Sequence, residues 1–166
     1  MKKPASLRRY LEEAVPHLQA NPDRLTVFIE SGRLVAAGGP SLSFRYEYTL
    51  VLTVLDYAGD LDTLAVPLLA WLRTCQPDIA LNPSLREKAL RFHAELLNHD
   101  TADVEIQVDL SETVAVKEST EPGGRRRLDV RHVPEPYHPA PYATGDYALY
   151  LGEQIGAEWH VAEEIR

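Results

Sequence analysis

SFRYEYTLVLTVLDY, residues 43–57, is the stretch whose reading decides the fold. Phe44, Tyr46, Tyr48, Leu50, Leu52 and Val54 fall on one side of an extended chain, with Arg45, Glu47, Thr49 and Thr53 on the other. Alternation with a period of two predicts a strand with one buried face and one wet face. At about 3.3 Å per residue the run spans on the order of 50 Å, roughly twice the usual strand length. A small compact domain needs less, so one end is expected to project beyond the core or to pair with a neighbouring chain.

Working outward, Leu25–Glu30 and Arg33–Ala37 read as two short strands joined at Ser31-Gly32, where glycine can take the positive φ of a tight hairpin. Gly38-Gly39-Pro40 breaks the chain before the long strand. On the other side, Leu90, Phe92, Ala94 and Leu96 alternate with Arg91, His93 and Glu95, and Asn98–Thr101 is the turn into a long return strand. There Val104, Ile106, Val108, Leu110, Val114 and Val116 alternate with Glu105, Gln107, Asp109 and Thr113. Strands with a shared alternation demand one sheet, wet on one face and covered by helices on the other.

Two helices supply that cover. Pro4 suits a first helical turn, where its missing N–H costs nothing, and Leu7, Leu11, Ala14 and Leu18 form an apolar stripe opposite Arg8, Arg9, Glu12 and Glu13. Pro16 is expected to bend or end this helix. A second runs from Leu61 to about Thr74, with Asp60 or Asp62 as its cap and Pro67 as an internal kink. Asn82-Pro83-Ser84 opens a further short turn.

From Ser119 the composition changes. Glu121–Gly124 is a turn, Arg125-Arg126-Arg127 a basic run, Leu128–Val133 a short strand, and Pro134–Tyr142 an extended proline-rich spacer. Beyond it Tyr147, Leu149 and Leu151 share a face, followed by Ile155, Trp159 and Val161. An isolated two-stranded ribbon is marginal in water, so these side chains need a surface, the parent domain or another chain; another chain is the expectation. The residue pattern is thus α+β, an antiparallel or mixed sheet with two helices on one face, over residues 1–118, with residues 119–166 as a C-terminal β arm.

Composition narrows function. Of 166 residues 45% are hydrophobic and 25% charged, ordinary globular values, and the net charge of −8 argues against a specific nucleic-acid surface. The one cysteine, Cys75, excludes an intrachain disulfide and a cysteine zinc cluster and reads as a small packed hydrophobe. MKKPASLRRYLEEA lacks the apolar core of a signal peptide, and no stretch reaches membrane-spanning length. A soluble cytoplasmic protein with no membrane partner is expected. His93-x-Glu95 lies on the polar side of a strand without an evident third metal ligand, and Asp56, Asp60 and Asp62 lack calcium-loop spacing. There is no phosphate loop, dinucleotide fingerprint or serine elbow. No catalytic, cofactor or metal residues are assigned. The residues favoured for partner contacts are Arg45, Glu47 and Thr49, the Arg125–Arg127 run, and Tyr147, Leu149, Leu151 and Trp159.

Several blocks carry a resemblance: Asn21-Pro22-Asp23-Arg24-Leu25; Gly32-Arg33 with Val35-Ala36; SLSFRYEYTLVLTVLDYAGDLD from Ser41; VPLLAWLRTCQPD from Val66; and LLNHDTADVEIQVDLSETVAV from Leu96. Over residues 1 to about 118 the chain resembles the phage tail completion protein R family of contractile-tailed temperate phages. The resemblance implies assembly without catalysis. Such proteins cap the tube and sheath at the head-proximal end of the tail, and the element order resembles that of tail terminators, which form sixfold rings. The implied partners are further copies of the chain, the tail tube protein, the tail sheath protein and a neck protein. The implied location is the host cytoplasm during assembly, then the tail of a phage, a prophage particle or a tail-derived bacteriocin. The alternatives are a head–tail connector and a small metal-dependent enzyme built on His93 and Glu95.

Overall fold

The structure, a computed structural model, describes residues 1–97, 100–136 and 144–161. Chain order is α1 (Lys3–Ala14), α2 (Pro16–Ala20), a 3-10 turn (Pro22–Arg24), β1 (Leu25–Ala36), β2 (Phe44–Tyr57), α3 (Asp62–Cys75), α4 (Pro77–Leu81), α5 (Pro83–Arg86), β3 (Leu90–Leu96), β4 (Ala102–Thr120), β5 (Arg126–His132), β6 (Gly145–Leu151) and β7 (Gln154–Val161). The fold is α+β. The main sheet has the order β1-β2-β4-β3, with β5 also on β4, and every pairing is antiparallel. Residues 98 and 99 of the expected turn, and residues 137–143 of the proline-rich spacer, lie outside the described residues.

Proline places the helix starts. Pro16, Pro22, Pro77 and Pro83 each stand in a first helical turn, where the N–H they lack has no partner to lose. Pro16 also ends α1, because the residue before a proline is driven out of helical backbone; Val15 is extended. At the start of α3 the Asp60 carboxylate accepts the Asp62 N–H at 2.9 Å, and the helix runs on through buried Pro67. In α5 the Asn82 side chain accepts from the Ser84 N–H at 3.0 Å, an N-cap bond.

The core lies between one sheet face and these helices. Leu7, Leu11 and Leu18 meet Leu64, Leu68 and Trp71 over Leu50, Leu52, Val108 and Leu110, all buried. β2 follows its sequence pattern: Tyr48, Leu50, Leu52 and Val54 are buried, while Arg45 is exposed and Glu47 and Thr49 are half-buried. Val51, on the opposite face, is buried as well.

Two expectations are corrected. Ser31-Gly32 is not a turn. β1 runs unbroken from Leu25 to Ala36 along β2, with a bulge between Ile29 and Ser31. A 14-residue β2 gives each half of β1 a partner, so a hairpin at residue 31 would forfeit half the ladder. Gly32 serves a different need: a Cβ there would lie 3.1 Å from that of Tyr48, directly across the pair. The second correction concerns β3. Its apolar face was expected beneath the helices, yet Phe92 is 67% and Leu96 81% exposed. The helices cover the centre of the sheet, and past half-buried Leu90 the edge runs out from under them.

β4 binds the layers together. β3 and β5 lie on the same side of it, since Val114 pairs with Phe44 on one side and His132 on the other. Between them a stretch of β4 has no strand neighbour on that side among the described residues. Ser111 supplies the missing partners from elsewhere: its N–H donates to Gln76 Oε1 at 3.1 Å, and its carbonyl accepts from Lys3 Nζ at 2.8 Å. Beside it Glu112 is buried on the helix side. Its carboxylate accepts the Tyr48 hydroxyl (2.7 Å) and the Lys2 and Lys3 backbone N–H groups (2.7 and 3.3 Å) at the start of α1. His132 Nδ1 on β5 lies 3.0 Å from Glu112 Oε2 without forming a hydrogen bond.

Burial pushes the Glu112 carboxyl up, but the bond from Tyr48 and the two N–H bonds from Lys2 and Lys3 outweigh it and leave its pKa below the ordinary value of 4.5. A folded-state pKa below the unfolded one adds stability that is present above the unfolded value and lost as pH falls through the folded one. Thermal stability should therefore drop on acidification below about pH 4.5, and Glu112→Gln should flatten that dependence, read from melting temperatures across pH 3–6. Leu50→Ala or Leu68→Ala should cost about 2–5 kcal/mol in urea unfolding.

Candidate assembly surface

The wet face of the main sheet is a shallow trough. β1, β2 and β4 form its floor, and Asp78, Ile79 and Leu85 from α4 and α5 form one wall. Register brings its charges together. Arg33 stands opposite Glu47 and Thr49 opposite Asp109. Arg33 Nε donates to Glu47 Oε2 at 2.7 Å, and Arg45 pairs with the other oxygen of the same carboxylate. Thr49 Oγ1 donates to Asp109 Oδ1 at 2.7 Å, and Arg91 clasps both Asp109 oxygens at 2.9 and 3.0 Å. The result is a ladder of paired charges from β1 to β3, Glu47 between Arg33 and Arg45 and Asp109 between Thr49 and Arg91.

The ladder holds its carboxylates ionised. The hydrogen bond from Arg33, with that from Arg45, outweighs burial and lowers the Glu47 pKa. Arg91, aided by Thr49, does the same for Asp109. Arg91 in turn is raised, first by Asp109 and further by the charge of Glu30 on β1, so the curled sheet lets its two outer strands feel one another. These groups are well solvated and bind the fold weakly. They present a patterned polar surface suited to fixing the register of a partner.

The expected contact residues fall into three places. Arg45, Glu47 and Thr49 share the trough, joined by Arg33, Asp109 and Arg91, which single-strand patterning did not single out. Arg126 and Arg127 belong to the far end of the β4–β5 hairpin, where Arg126 pairs with Glu118 and Arg127 with Asp129, and Arg125 is exposed in the turn before them. Arg126 lies opposite Thr120, seven residues along β4 from the Thr113 that faces Arg45. At about 3.3 Å per residue the two sets are some 23 Å apart, so the basic run is no part of the trough. The position proposed as a boundary, between residues 118 and 119, lies inside β4.

Tyr147, Leu149, Leu151 and Trp159 form the third set. β6 and β7 make a hairpin in which Tyr147 stacks on Trp159, ring centres 5.8 Å apart. The face expected to serve another chain is seated on the molecule's own helices: β7 lies against α1 and α3, Ala157 is fully buried, and Trp159 packs on the core. Gly156 is the point of closest approach, since a Cβ there would lie 2.5 Å from buried Thr63 Cγ2. His93 and Glu95 project from the exposed edge strand. Among the described residues no group of three or more His, Cys, Asp and Glu side chains is placed to hold a metal ion, and no helix is long and apolar enough to cross a membrane.

Comparison with known proteins extends the match. The family model described as P2 phage tail completion protein R (GpR) matches residues 1–136, beyond β5 and past the span read from the motifs. Tail completion protein R of Escherichia phage P2 is 38% identical over 159 residues, covering 96% of this chain and 99% of that protein. No solved structure matches the chain.

Two substitutions separate surface from scaffold. Glu47→Ala should change unfolding free energy by less than about 1 kcal/mol, as for other exposed ion pairs, in urea titration. Gly156→Ala should instead release the C-terminal hairpin from α1 and α3, read as faster proteolysis after residue 136 with the sheet still protected.

Proposed function

The chain belongs to the P2 phage tail completion protein R (GpR) family, and on that footing we propose that it completes phage tails as a structural subunit. In this reading it closes into a ring of identical copies, six in number, on the head-proximal end of a contractile tail. There it ends growth of tube and sheath and readies the tail for a head. It acts by surface complementarity and not by catalysis.

The observation that carries the reading is a sheet that, among the described residues, has two open edges. β1 and β3 bound it on opposite sides, and a heterologous ring needs two different, mutually complementary patches on each subunit. The charge arrangement supports distinct faces for distinct partners. Arg125, Arg126 and Arg127 lie at the β4–β5 end, two of them paired with Glu118 and Asp129, while Asp56, Asp103 and Glu105 mark the opposite end of the main strands. In a ring whose axis follows the strands, one rim carries the arginine run with its paired acids and the other the Asp56, Asp103 and Glu105 cluster. Tube and sheath then meet one rim and the neck the other, with the trough of Arg45, Glu47 and Thr49 as a further contact.

Electron microscopy of tails made with and without the chain tests this. Tails lacking it should be uneven in length and headless, and wild-type tails should carry a ring at the head-proximal end. Glu47→Arg and an Arg125/Arg126/Arg127→Glu variant should fold normally and complete fewer tails. Normal, uniform tails in its absence would refute the reading, and co-purification with the portal but never with tube or sheath would favour a connector.

A further inference from the structure

The two open edges of the main sheet match one another in direction, hydrogen-bonding phase, face and charge. Direction follows from topology. In the antiparallel order β1-β2-β4-β3 the outer strands run oppositely. A rotation about an axis along the strands therefore sets β3 of one copy antiparallel to β1 of the next.

Phase follows from the hydrogen bonds. Asp109 N–H donates to the Ala89 carbonyl and Leu97 N–H to the Thr101 carbonyl, both flanking β3. Odd-numbered residues of β3 therefore face β4. Successive residues of an antiparallel strand turn their N–H and C=O to opposite sides, so Phe92, Ala94 and Leu96 direct theirs outward. On β1, Ala37 N–H donates to the Ser43 carbonyl, which sets Arg33 and Val35 towards β2. The bulge at Glu30 shifts the alternation and leaves Leu25, Val27 and Ile29 directed outward. In both strands the outward residues carry their side chains on the helix-side face, as their partners Ile106, Val104 and Ala102 on β4, and Leu50, Leu52 and Val54 on β2, show.

We infer that adjacent subunits of the ring proposed above join by adding β3 of one copy to β1 of the next, with Phe92 opposite Ile29, Ala94 opposite Val27 and Leu96 opposite Leu25. This rests on the ring reading. The three pairs exchange about five backbone hydrogen bonds, since the Leu25 N–H already donates to the Pro22 carbonyl, and they bury side chains that the single chain leaves out, with Leu96 81% and Phe92 67% exposed. On the wet face Arg91 comes opposite Glu30, His93 opposite exposed Phe28 and Glu95 opposite Thr26, extending the ladder of the trough across the joint. Sliding two residues one way sets Arg91 against Phe28, and sliding the other way runs Phe92 into the bulge. Edge strands left bare invite such pairing, and strand addition takes affinity from the backbone and specificity from alternate side chains.

The test uses two single-cysteine chains in a Cys75→Ser background, Phe28→Cys and His93→Cys. They would form a non-hydrogen-bonded cross-strand pair with Cα atoms about 4.5 Å apart, within disulfide reach. Oxidising the mixture, at high concentration and on tails, should give linked dimers that neither chain gives alone. Phe28→Cys with Ala94→Cys, on opposite faces, should not link. Ala94→Pro removes an outward N–H that the chain's own ladder does not use, and should abolish rings while leaving thermal unfolding of the subunit cooperative. Rings on tails without cross-links from the first mixture, His93→Cys linking only to itself, or rings that survive Ala94→Pro would each overturn the edge pairing and leave the ring standing. Absence of rings from tails that are still completed would remove the ring reading and the pairing with it.

Discussion

The Glu112 carboxylate is the contact on which the layers of this protein depend. It sits on β4, inside the molecule, and gathers the Tyr48 hydroxyl from β2, the Lys2 and Lys3 N–H groups that begin α1, and His132 on β5. A buried carboxylate is costly unless its lone pairs are occupied, and a negative charge at a helix N-terminus is favoured by the free N–H groups and the helix dipole. Each element therefore makes the placement of the others tolerable. Without the helix start the carboxylate would lack donors. Without the carboxylate the first turn of α1 would have unpaired N–H groups against an apolar sheet.

One residue away, the same region resolves a problem of sheet construction. β4 is longer than any neighbour, and β3 and β5 leave a gap between them on one side. Gln76 Oε1 takes the Ser111 N–H and Lys3 Nζ takes the Ser111 carbonyl, while Lys3 also holds Glu135 at 2.6 Å. Polar side chains thus stand in for a missing strand, as buried backbone groups require. The gap in the interior of the sheet is closed by this means, while β1 and β3 form its outer edges.

Much of the architecture was legible because alternation reports burial directly. The long β2, the return strand β4, the two covering helices, the stop at Pro16 and the turn opened at Asn82 follow from period and from proline and asparagine chemistry. The errors share a cause: local pattern does not state what lies across the ladder. Ser31-Gly32 has turn chemistry, yet its partner strand continues past it, and Gly32 answers the crowding of Tyr48. Phe92 and Leu96 have the phase of core residues, but phase does not reveal where the helices end. The trough was half legible, Arg45, Glu47 and Thr49 from one strand, while Arg33, Asp109 and Arg91 needed register. Glu112 left a trace, a carboxylate between Leu110 and Val114 on an otherwise apolar face, the kind of local conflict that marks a special site.

The C-terminal hairpin shows why exposure and burial divide as they do. Its aromatic face needed a surface, and a segment tethered to its own domain meets that domain at high effective concentration. Gly156 supplies the close approach and Trp159 the contact area on the helices. The hairpin covers part of the helical side, and the outer strands β1 and β3 remain as the edges of the main sheet among the described residues. An apolar face can be satisfied by any apolar surface, which suits a contact within one chain. A strand edge demands a partner of set direction, phase and spacing, which suits a contact that must add the next copy in one orientation only. In the ring proposed above, a subunit that stops a polymer needs that second kind of specificity at its sides, and the exposed β3 edge and the bulged β1 would supply it.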